Sequence, residues 1–449
     1  MEEGDLFFDH HPDIEDVEVF VVDVNGVLRG KTIPRAGAGK IFNPGVRLPR
    51  SVFAVDVWGR DVLAAGLIAE TGDNDGVCRA VPGTLHRVPW VDRPVAQAML
   101  TMADSEGKPF FADPRQVLAR VLSLYDKVGL VPVVAAELEF YLLDNKPDEK
   151  RRPQPPSSPR TGKRVEAEQV LSLKKLEEFD KVLSEIVEYC RAQNIPADAV
   201  SSEMGPGQFE INLYHEPDAL SAADHVTLMK RVVSGVATKN GMAATFMAKP
   251  YGDKSGSGMH FHFSILDRKG NNIFAGEDSR GSPRLKHALG GLLATMSDSI
   301  AILAPHANSY RRFRTGSHAP TKMTWGYDNR SAALRVPESD IAATRIEYRV
   351  PGADNNPYLA LAVILAGAFY GLKGKITPSA PVRGDAYESK AKTFPTTWEG
   401  ALAAFEKSRF IDAFLGKEYK KLYLACKRKE QEEISRQVSS VEHDAYLSI

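Results

Sequence analysis

The chain has 449 residues, 43% of them hydrophobic and 26% charged, a composition typical of a globular protein with a large core. Lys and Arg number 57 against 58 Asp and Glu, so the formal charge of -1 provides no overall field that would attract nucleic acid or an acidic membrane. The three cysteines lie far apart in no metal-binding spacing, which argues against disulfides and fits a reducing compartment. We therefore expect a cytoplasmic protein that binds neither nucleic acid nor membranes.

The first quarter of the chain predicts a small β-rich domain. Residues 17–31 are typical of two strands joined at Asn25-Gly26, a pair that type I′ hairpin turns favour because both positions need positive φ. Asp113 and Pro114 then predict the cap and first residue of a helix. We place the domain boundary at the start of this helix, with an N-terminal domain at 15–110 and a larger domain at 113–449.

The larger domain is predicted to alternate helices with strands. The Pro-rich, basic stretch 145–163 indicates an exposed loop that interrupts this domain. The apolar run 358–372 is too short to span a membrane comfortably, and with Asn356 as cap and Pro357 as first residue it predicts a buried helix. Residues 397–449 are predicted to be helical and charged.

Four stretches that are typical of strands carry polar side chains at alternate positions. Because successive strand side chains point to opposite faces, each stretch directs its polar side chains one way and its apolar side chains the other. If these faces share one sheet, that sheet is lined with carboxylates, imidazoles and guanidiniums. The polar positions are Glu137 and Glu139; Glu210 and Asn212; His260, His262 and Ser264; and Arg345, Glu347 and Arg349.

The acidic residues on these strands suggest cation binding. Glu137 and Glu139 are roughly 7 Å apart on one strand face, which suits two neighbouring cations better than one shared proton. An isolated pair of this kind is more often an exposed strand face, but the flanking residues here are strongly apolar. A Gly-Pro-Gly turn at 205–207 can return Glu203 toward Glu210, although a plain loop is an equal alternative. Gly256 and Gly258 allow the backbone a close approach to a ligand.

Five arginines, suited to phosphate or carboxylate capture, fall within forty residues. A solvated, salt-bridged surface is the alternative, but Glu347 lies between two arginines of the same strand face. Counting His260 and five glutamates gives enough ligands for two Mg²⁺ or Mn²⁺ ions at a phosphoryl-transfer site. The arginines are Arg312, Arg330, Arg335, Arg345 and Arg349, and the candidate ligands are Glu137, Glu139, Glu203, Glu210, His260 and Glu347.

The segments ELEF, SEMGPGQFEINL, GDKSGSGMHFHFS, NRSAALRVP and RIEYRVPGADNNPY, in this order, resemble the glutamine synthetase family over nearly the whole chain. The resemblance implies an α+β fold, with an N-terminal β-grasp domain and a catalytic domain whose antiparallel sheet forms a funnel surrounded by helices. It also implies a homo-oligomer, a dodecamer of two stacked hexameric rings with active sites between subunits.

The resemblance further implies a role for each site residue. One divalent cation would be held by Glu139, Glu203 and Glu210, and the other by Glu137, His260 and Glu347. ATP would be bound by His262, Ser264, Arg330, Arg335 and Arg345. The substrate glutamate would lie against Gly256, His260, Arg312 and Arg349. The catalytic residues would be Arg330, Arg349, His318 and Asp56.

Two departures from the family pattern bear on the substrate. His318 stands where glutamine synthetases carry a glutamate that shields the intermediate and binds ammonium, and a histidine stabilises ammonium poorly. The N-terminal motif is also altered, with Asp56 the nearest equivalent of the ammonium-binding aspartate. Both changes resemble the γ-glutamylpolyamine synthetase branch, which implies ATP-dependent ligation of the γ-carboxylate of glutamate to putrescine or another small amine through γ-glutamyl phosphate.

Two alternatives remain open at this stage. One is a glutamine synthetase that uses ammonia, which would share every cation and ATP residue. The other is a non-enzymatic structural relative, which would be expected to have lost cation ligands, whereas all six are present. Tyr387 falls near where some bacterial family members carry an adenylylated tyrosine; its surroundings match poorly, so we predict no such modification.

Overall fold

Two β-sheets organise the chain, and the fold mixes helices and strands as predicted. The computed structural model describes residues 3–68 and 72–449. The six strands of the first sheet are β1 Asp16–Val22, β2 Leu28–Pro34, β3 Val46–Pro49, β4 Asp75–Ala80, β5 His86–Arg87 and β6 Val95–Ala103. The eight of the second sheet are β7 Leu130–Asp144, β8 Ala197–Ser202, β9 Gln208–Leu213, β10 Met242–Thr245, β11 Met259–Asp267, β12 Trp325–Tyr327, β13 Leu334–Val336 and β14 Ile346–Tyr348.

The first sheet has the order β2-β1-β6-β4-β3, with β5 on β6, and β1 and β6 run parallel at its centre. The predicted hairpin of β1 and β2 is confirmed, but its predicted type I′ turn is wrong. A type I′ turn needs a positive φ at both Asn25 and Gly26, but of these two only Gly26 has one, of 77°. Asp23 Oδ1 instead accepts hydrogen bonds from the backbone N–H groups of Asn25 and Val27 at 2.8 and 2.9 Å. The aspartate side chain therefore organises a longer loop than the Asn-Gly pair alone predicts.

The second sheet has the order β12-β13-β14-β11-β7-β9-β8, with β10 also paired to β7. Its pairs are antiparallel, as predicted, except for the short parallel pair of β12 and β13. The long strand β7 lies at the centre, hydrogen-bonded to β9 on one side and β11 on the other. Because β14 pairs with the far side of β11, all four alternating polar stretches lie on or beside consecutive strands, in the order β14-β11-β7-β9.

Ten helices are present in the described ranges: α1 Glu3–His10, α2 Pro114–Lys127, α3 Leu173–Ala192, α4 Ala219–Lys239, α5 Pro283–Leu303, α6 Pro357–Gly374, α7 Trp398–Lys407, α8 Arg409–Phe414, α9 Lys417–Ser435 and α10 Ser440–Tyr446. Helix α2 has the predicted cap, since the Asp113 carboxylate accepts the backbone N–H of Arg115. Helix α6 is the predicted apolar helix: Asn356 accepts from the N–H groups of Tyr358 and Leu359. By length and composition α6 is apolar enough to cross a membrane, but 72% of it is buried inside the protein, as in a core helix.

The N-terminal sheet and the C-terminal helices meet at a buried ion pair. Lys427 and Glu430 of α9 are fully buried, with Lys427 Nζ 3.0 Å from Glu430 Oε2. Lys427 also donates to Asn25 Oδ1, and Glu430 accepts the backbone N–H of Val57 at 3.0 Å. One hydrophobic core extends through both sheets. The division into domains at 15–110 and 113–449 stays a prediction.

Candidate active site

The polar side chains of the second sheet share one face, as the alternating pattern predicted. Residues directly opposite each other on antiparallel strands point to the same side of the sheet. The strand pairings therefore join the predicted polar residues into one continuous surface, which we call the polar face. The opposed pairs are Glu139 with Glu210, Glu137 with Asn212, Glu137 with His260, His262 with Glu347, and Arg335 with Glu347.

Glu137 lies at the centre of the polar face. His260 Nδ1 is 3.2 Å from Glu137 Oε2, and His262 Nε2 is 3.0 Å from Glu137 Oε1. Two groups of donor atoms converge there, each with all its atoms within 4.8 Å of one another. One consists of Glu137, His262 and Glu347, and the other of Glu137, Glu210 and His260. This grouping differs from the sets implied by the resemblance, because His262 lies among the candidate cation ligands.

The carboxylates of the polar face repel one another. Burial, followed by the nearby charge of Glu203, raises the pKa of Glu139 to about 7, and burial with the charges of Glu139 and Glu137 raises the pKa of Glu210 to about 9. Burial would also raise the pKa of Glu137, but hydrogen bonds from His260 and His262 reverse this and hold it far below its usual range. Hard oxygen donors that crowd together in this way fit a divalent cation such as Mg²⁺ or Mn²⁺.

Arginines line the other side of Glu347. Arg335 Nη1 donates to Glu347 Oε2 at 2.8 Å, and Arg349 Nη1 donates to Glu347 Oε1. Burial opposes ionisation of Glu347, but the charge of Arg349 and the neighbouring histidines outweigh it and lower its pKa to about 2. Glu347 is therefore a carboxylate that fixes two arginines beside the donor groups.

A cavity of about 590 Å³ opens beside the polar face. Glu137, His262, Ser264 and Arg345 line it, and Arg345 Nε donates to His262 Nδ1 at 3.3 Å. Three of the five residues expected to bind ATP thus meet at one cavity. Of the other two, Arg335 is held by Glu347 and Asp328, and Arg330 is exposed on the loop between β12 and β13.

The residues expected to bind glutamate also lie together. Arg312 is buried and donates to the backbone carbonyl groups of Val350 at 2.7 Å and Arg349 at 3.3 Å. A Cβ on Gly258 would lie 2.7 Å from Arg312 Nη2 and 2.9 Å from His260 Nε2, and one on Gly256 would lie 2.9 Å from Arg312 Cγ. The two glycines are therefore needed for the close packing of this loop against Arg312.

Two supporting residues were missed by the sequence analysis. Gln208 donates to Glu139 Oε2 at 3.2 Å and to the Gly256 carbonyl at 3.0 Å, and it accepts the backbone N–H of Gly205 at 3.0 Å. Lys175 of α3 donates to the carbonyl groups of Glu203 at 2.9 Å and Gly205. Gln208 could have been found, because it precedes Glu210 by two residues and so shares its strand face. Nothing in the sequence distinguishes Lys175 from the other lysines of an amphipathic helix.

The two residues expected to act on the amine lie on loops. His318 is exposed, with a φ of 58°, and Asp56 is buried. Asp56 Oδ2 accepts from Arg60 Nε at 2.8 Å, and its Oδ1 accepts the backbone N–H groups of Trp58 and Arg60 at 2.9 Å. The Asp56 carboxylate therefore stabilises the turn formed by residues 56–60. Catalytic roles for both residues stay predictions.

Comparison with known proteins agrees with this geometry. Residues 111–446 match the family model described as glutamine synthetase, catalytic domain. Gamma-glutamylputrescine synthetase PuuA of Escherichia coli (strain K12) is 42% identical over 97% of this chain and 92% of its own. Glutamate–isopropylamine ligase of a Pseudomonas species is 32% identical over 99% and 97% of the two chains.

A solved structure, the GmaS/ADP complex, superposes with a TM-score of 0.86 at 26% identity and covers 100% of both chains. The predicted α+β fold with a glutamine-synthetase catalytic domain is confirmed by these likenesses. ATP and a divalent cation are accordingly part of its chemistry. The chain belongs to the glutamine synthetase family.

Proposed function

We propose that this chain is an ATP-dependent ligase that joins the γ-carboxylate of glutamate to putrescine or another small amine through γ-glutamyl phosphate. The observation that carries the proposal is the polar face, where candidate cation ligands converge on Glu137, arginines pair with the neighbouring Glu347, and a cavity of about 590 Å³ opens beside them. Relatives named for putrescine and isopropylamine support an amine as the acceptor. His318, in place of an ammonium-binding acid, supports the same choice over ammonia.

In the first step, an oxygen of the glutamate γ-carboxylate attacks the γ-phosphorus of ATP, and the bond from that phosphorus to ADP breaks. Both reactants are anions, so the site must offset their repulsion. Arg335 and Arg345 provide positive charge for the phosphates, while the buried Arg312 and Arg349 hold the carboxylates of glutamate. Arg330 lies on the exposed loop before β13 and would reach the phosphates of ATP from the solvent side of the site.

The cation ligands are proposed to act in two sets, Glu139 with Glu203 and Glu210, and Glu137 with His260 and Glu347. The convergence of donor atoms around Glu137 and the repulsion among the other carboxylates support two neighbouring cations, Mg²⁺ or Mn²⁺. When bound, such ions neutralise charge on the phosphoryl oxygens.

In the second step, the amine nitrogen adds to the acyl carbon, and the carbon–oxygen bond to phosphate then breaks. An alkylammonium loses two protons on this path, one before its nitrogen can attack and one as the amide forms. One proton leaves with phosphate and the other passes to solvent. We assign His318 to accept the amine proton, since a neutral imidazole accepts a proton without the strong attraction for ammonium that a carboxylate has.

A coupled ATPase assay tests the proposed function. With glutamate and Mg²⁺ or Mn²⁺ present, ATP turnover is compared for ammonium, putrescine, spermidine and monoamines. We expect amine-dependent turnover with formation of the γ-glutamyl amide, detected by mass, and little response to ammonium. Robust turnover with ammonium and no response to any amine would identify an ammonia-dependent glutamine synthetase instead.

We also propose that the chain acts in the cytoplasm as a homo-oligomer, a dodecamer of two hexameric rings. Exposed apolar side chains support association: Val441, Leu447 and Ile449 at the end of the chain are 71%, 81% and 93% exposed, and Trp58 and Leu63 lie exposed on the N-terminal domain. Light scattering after size exclusion tests the assembly, and a monomer of 49.3 kDa that is fully active would contradict it.

A further inference from the structure

The loop that carries His318 is held at two points. On one side, Ser317 Oγ lies within hydrogen-bonding distance of the carbonyl oxygens of Arg312 and Arg314, at 3.0 and 2.6 Å. On the other side, the Tyr387 hydroxyl donates to the carbonyl of Ala319 at 2.7 Å. His318 itself has the left-handed φ of 58°, a conformation that a residue with a Cβ keeps only when its surroundings enforce it.

Tyr387 is in turn fixed by three neighbours. It lies in the 3₁₀ turn Ala386–Glu388, whose cap Asp385 accepts the Tyr387 backbone N–H at 2.9 Å. Ser331, next to Arg330, accepts the backbone N–H of Ala386 at 2.8 Å, and Lys322 Nζ donates to the Tyr387 carbonyl at 2.5 Å. The hydroxyl thus approaches Ala319 from a rigid turn that is linked to the segment carrying Arg330.

The Tyr387 hydroxyl is also kept as a donor. The side chain is half-buried, and this burial raises the pKa of the phenol, although Ser317 and the nearby Arg312 oppose the shift. A protonated hydroxyl can donate to the Ala319 carbonyl oxygen that it faces, which a phenolate could not do. The poor match around this tyrosine predicts that it is not adenylylated; that stays a prediction, which the engaged hydroxyl supports.

We infer that Tyr387 is a positioning residue for the reaction: its hydroxyl, bound to the Ala319 carbonyl, holds the His318 loop beside Arg312. The inference rests on the proposed function, in which His318 accepts the amine proton, and it adds that the closed loop keeps water from γ-glutamyl phosphate. Without this hydrogen bond the loop opens more often. Water then competes with the amine for the acyl carbon, so that ATP is consumed without formation of amide.

Tyr387→Phe tests the inference, because it removes only the hydroxyl. Tyr125→Phe is the matched control: the Tyr125 hydroxyl is buried and donates to the Leu365 carbonyl of α6 at 2.7 Å, a hydrogen bond in which no candidate site residue takes part. Hydrogen exchange is followed in peptides covering 312–319, where the amides of Arg314 and Ser317 donate to the Arg312 and Arg314 carbonyls. A typical hydrogen bond predicts a rise in exchange of about threefold to tenfold in Tyr387→Phe and none in the control.

The second measurement is the ratio of ADP released to amide formed at saturating glutamate, together with the KM for putrescine and for ATP. We expect Tyr387→Phe to raise the ratio and the KM for putrescine while the KM for ATP stays unchanged. Unchanged exchange in Tyr387→Phe overturns the inference, and so does faster exchange with an unaltered ratio. Absence of any amine-dependent turnover in the unmodified protein contradicts the proposed function instead, while the exchange data still decide whether Tyr387 holds the loop.

Discussion

Gln208→Met is predicted to weaken cation binding more than it weakens the fold. Gln208 is 1% exposed and joins Glu139, the loop of Glu203 and the glycine loop through three hydrogen bonds, and methionine has nearly its volume. Loss of a second-layer hydrogen bond to a cation ligand typically costs tenfold to 100-fold in affinity, or about 1.4–2.8 kcal/mol. We therefore expect the Kd for Mn²⁺ to rise by about that factor, with an accompanying rise in the KM for glutamate.

The affinity is measured by calorimetry or by electron paramagnetic resonance of free Mn²⁺. Gln97→Met is the matched control, since Gln97 is also buried and donates to Gln193 Oε1 at 3.0 Å with no contact to the polar face. The control should lower the Tm without changing the Kd for Mn²⁺. If Gln208→Met remains folded and binds Mn²⁺ within twofold of the unmodified protein, the supporting role assigned to Gln208 is refuted.

Three further predictions follow from the site and its surroundings. The raised pKa values of Glu139 and Glu210, about 7 and about 9, mean that the cation-free fold favours their protonated forms; its stability should fall as pH rises from about 5 to 9. Saturating Mg²⁺ or Mn²⁺ should remove this pH-dependent loss of stability, measured as the Tm of thermal unfolding. A cation-free Tm that does not change over this pH range would contradict the prediction. Gly258→Ala should raise the KM for glutamate about tenfold by displacing Arg312, whereas Gly252→Ala, whose Cβ would meet nothing within 4 Å, should not. Lys427→Met removes the buried cationic partner of Glu430 and should lower the free energy of unfolding by about 3–5 kcal/mol in denaturant titration; a loss below 1 kcal/mol would show that the ion pair contributes little to stability.

The sequence predicted the polar face because the period of a strand is two. Once Glu137 and Glu139 are placed on one strand between apolar neighbours, a register shift by one residue would bury both carboxylates in the core. The same reasoning applies to His260 and His262, so the pairing of these strands follows from their side chains. The helix caps at Asp113 and Asn356 were predictable for a similar reason, since each side chain accepts hydrogen bonds from helix N–H groups just two or three residues further along the chain.

Other features depended on contacts between distant segments. Helix α1 and the parallel pairing of β12 with β13 have no strong periodic pattern, and the turn after β1 is shaped by Asp23 rather than by its Asn-Gly pair. Lys175 supports Glu203 only because α3 packs behind β8. The grouping of His262 with the cation ligands likewise required the register of β11 against β14.

The backbone at His318 affects how a substitution there is interpreted. Replacing His318 by glutamate would introduce the acid that the resemblance to glutamine synthetases implies for this position, but it would also place a glutamate at a φ of 58°, which histidine and asparagine tolerate better. A failure to gain ammonia-dependent activity could then arise from a displaced loop rather than from the wrong chemistry. His318→Asn separates the two causes, because asparagine accepts this backbone conformation but cannot serve as a proton acceptor. If His318→Asn leaves the hydrogen-exchange rates of the loop unchanged but abolishes amine-dependent turnover, the imidazole takes part in the reaction. The loop, held by Ser317 and Tyr387, then serves to position it.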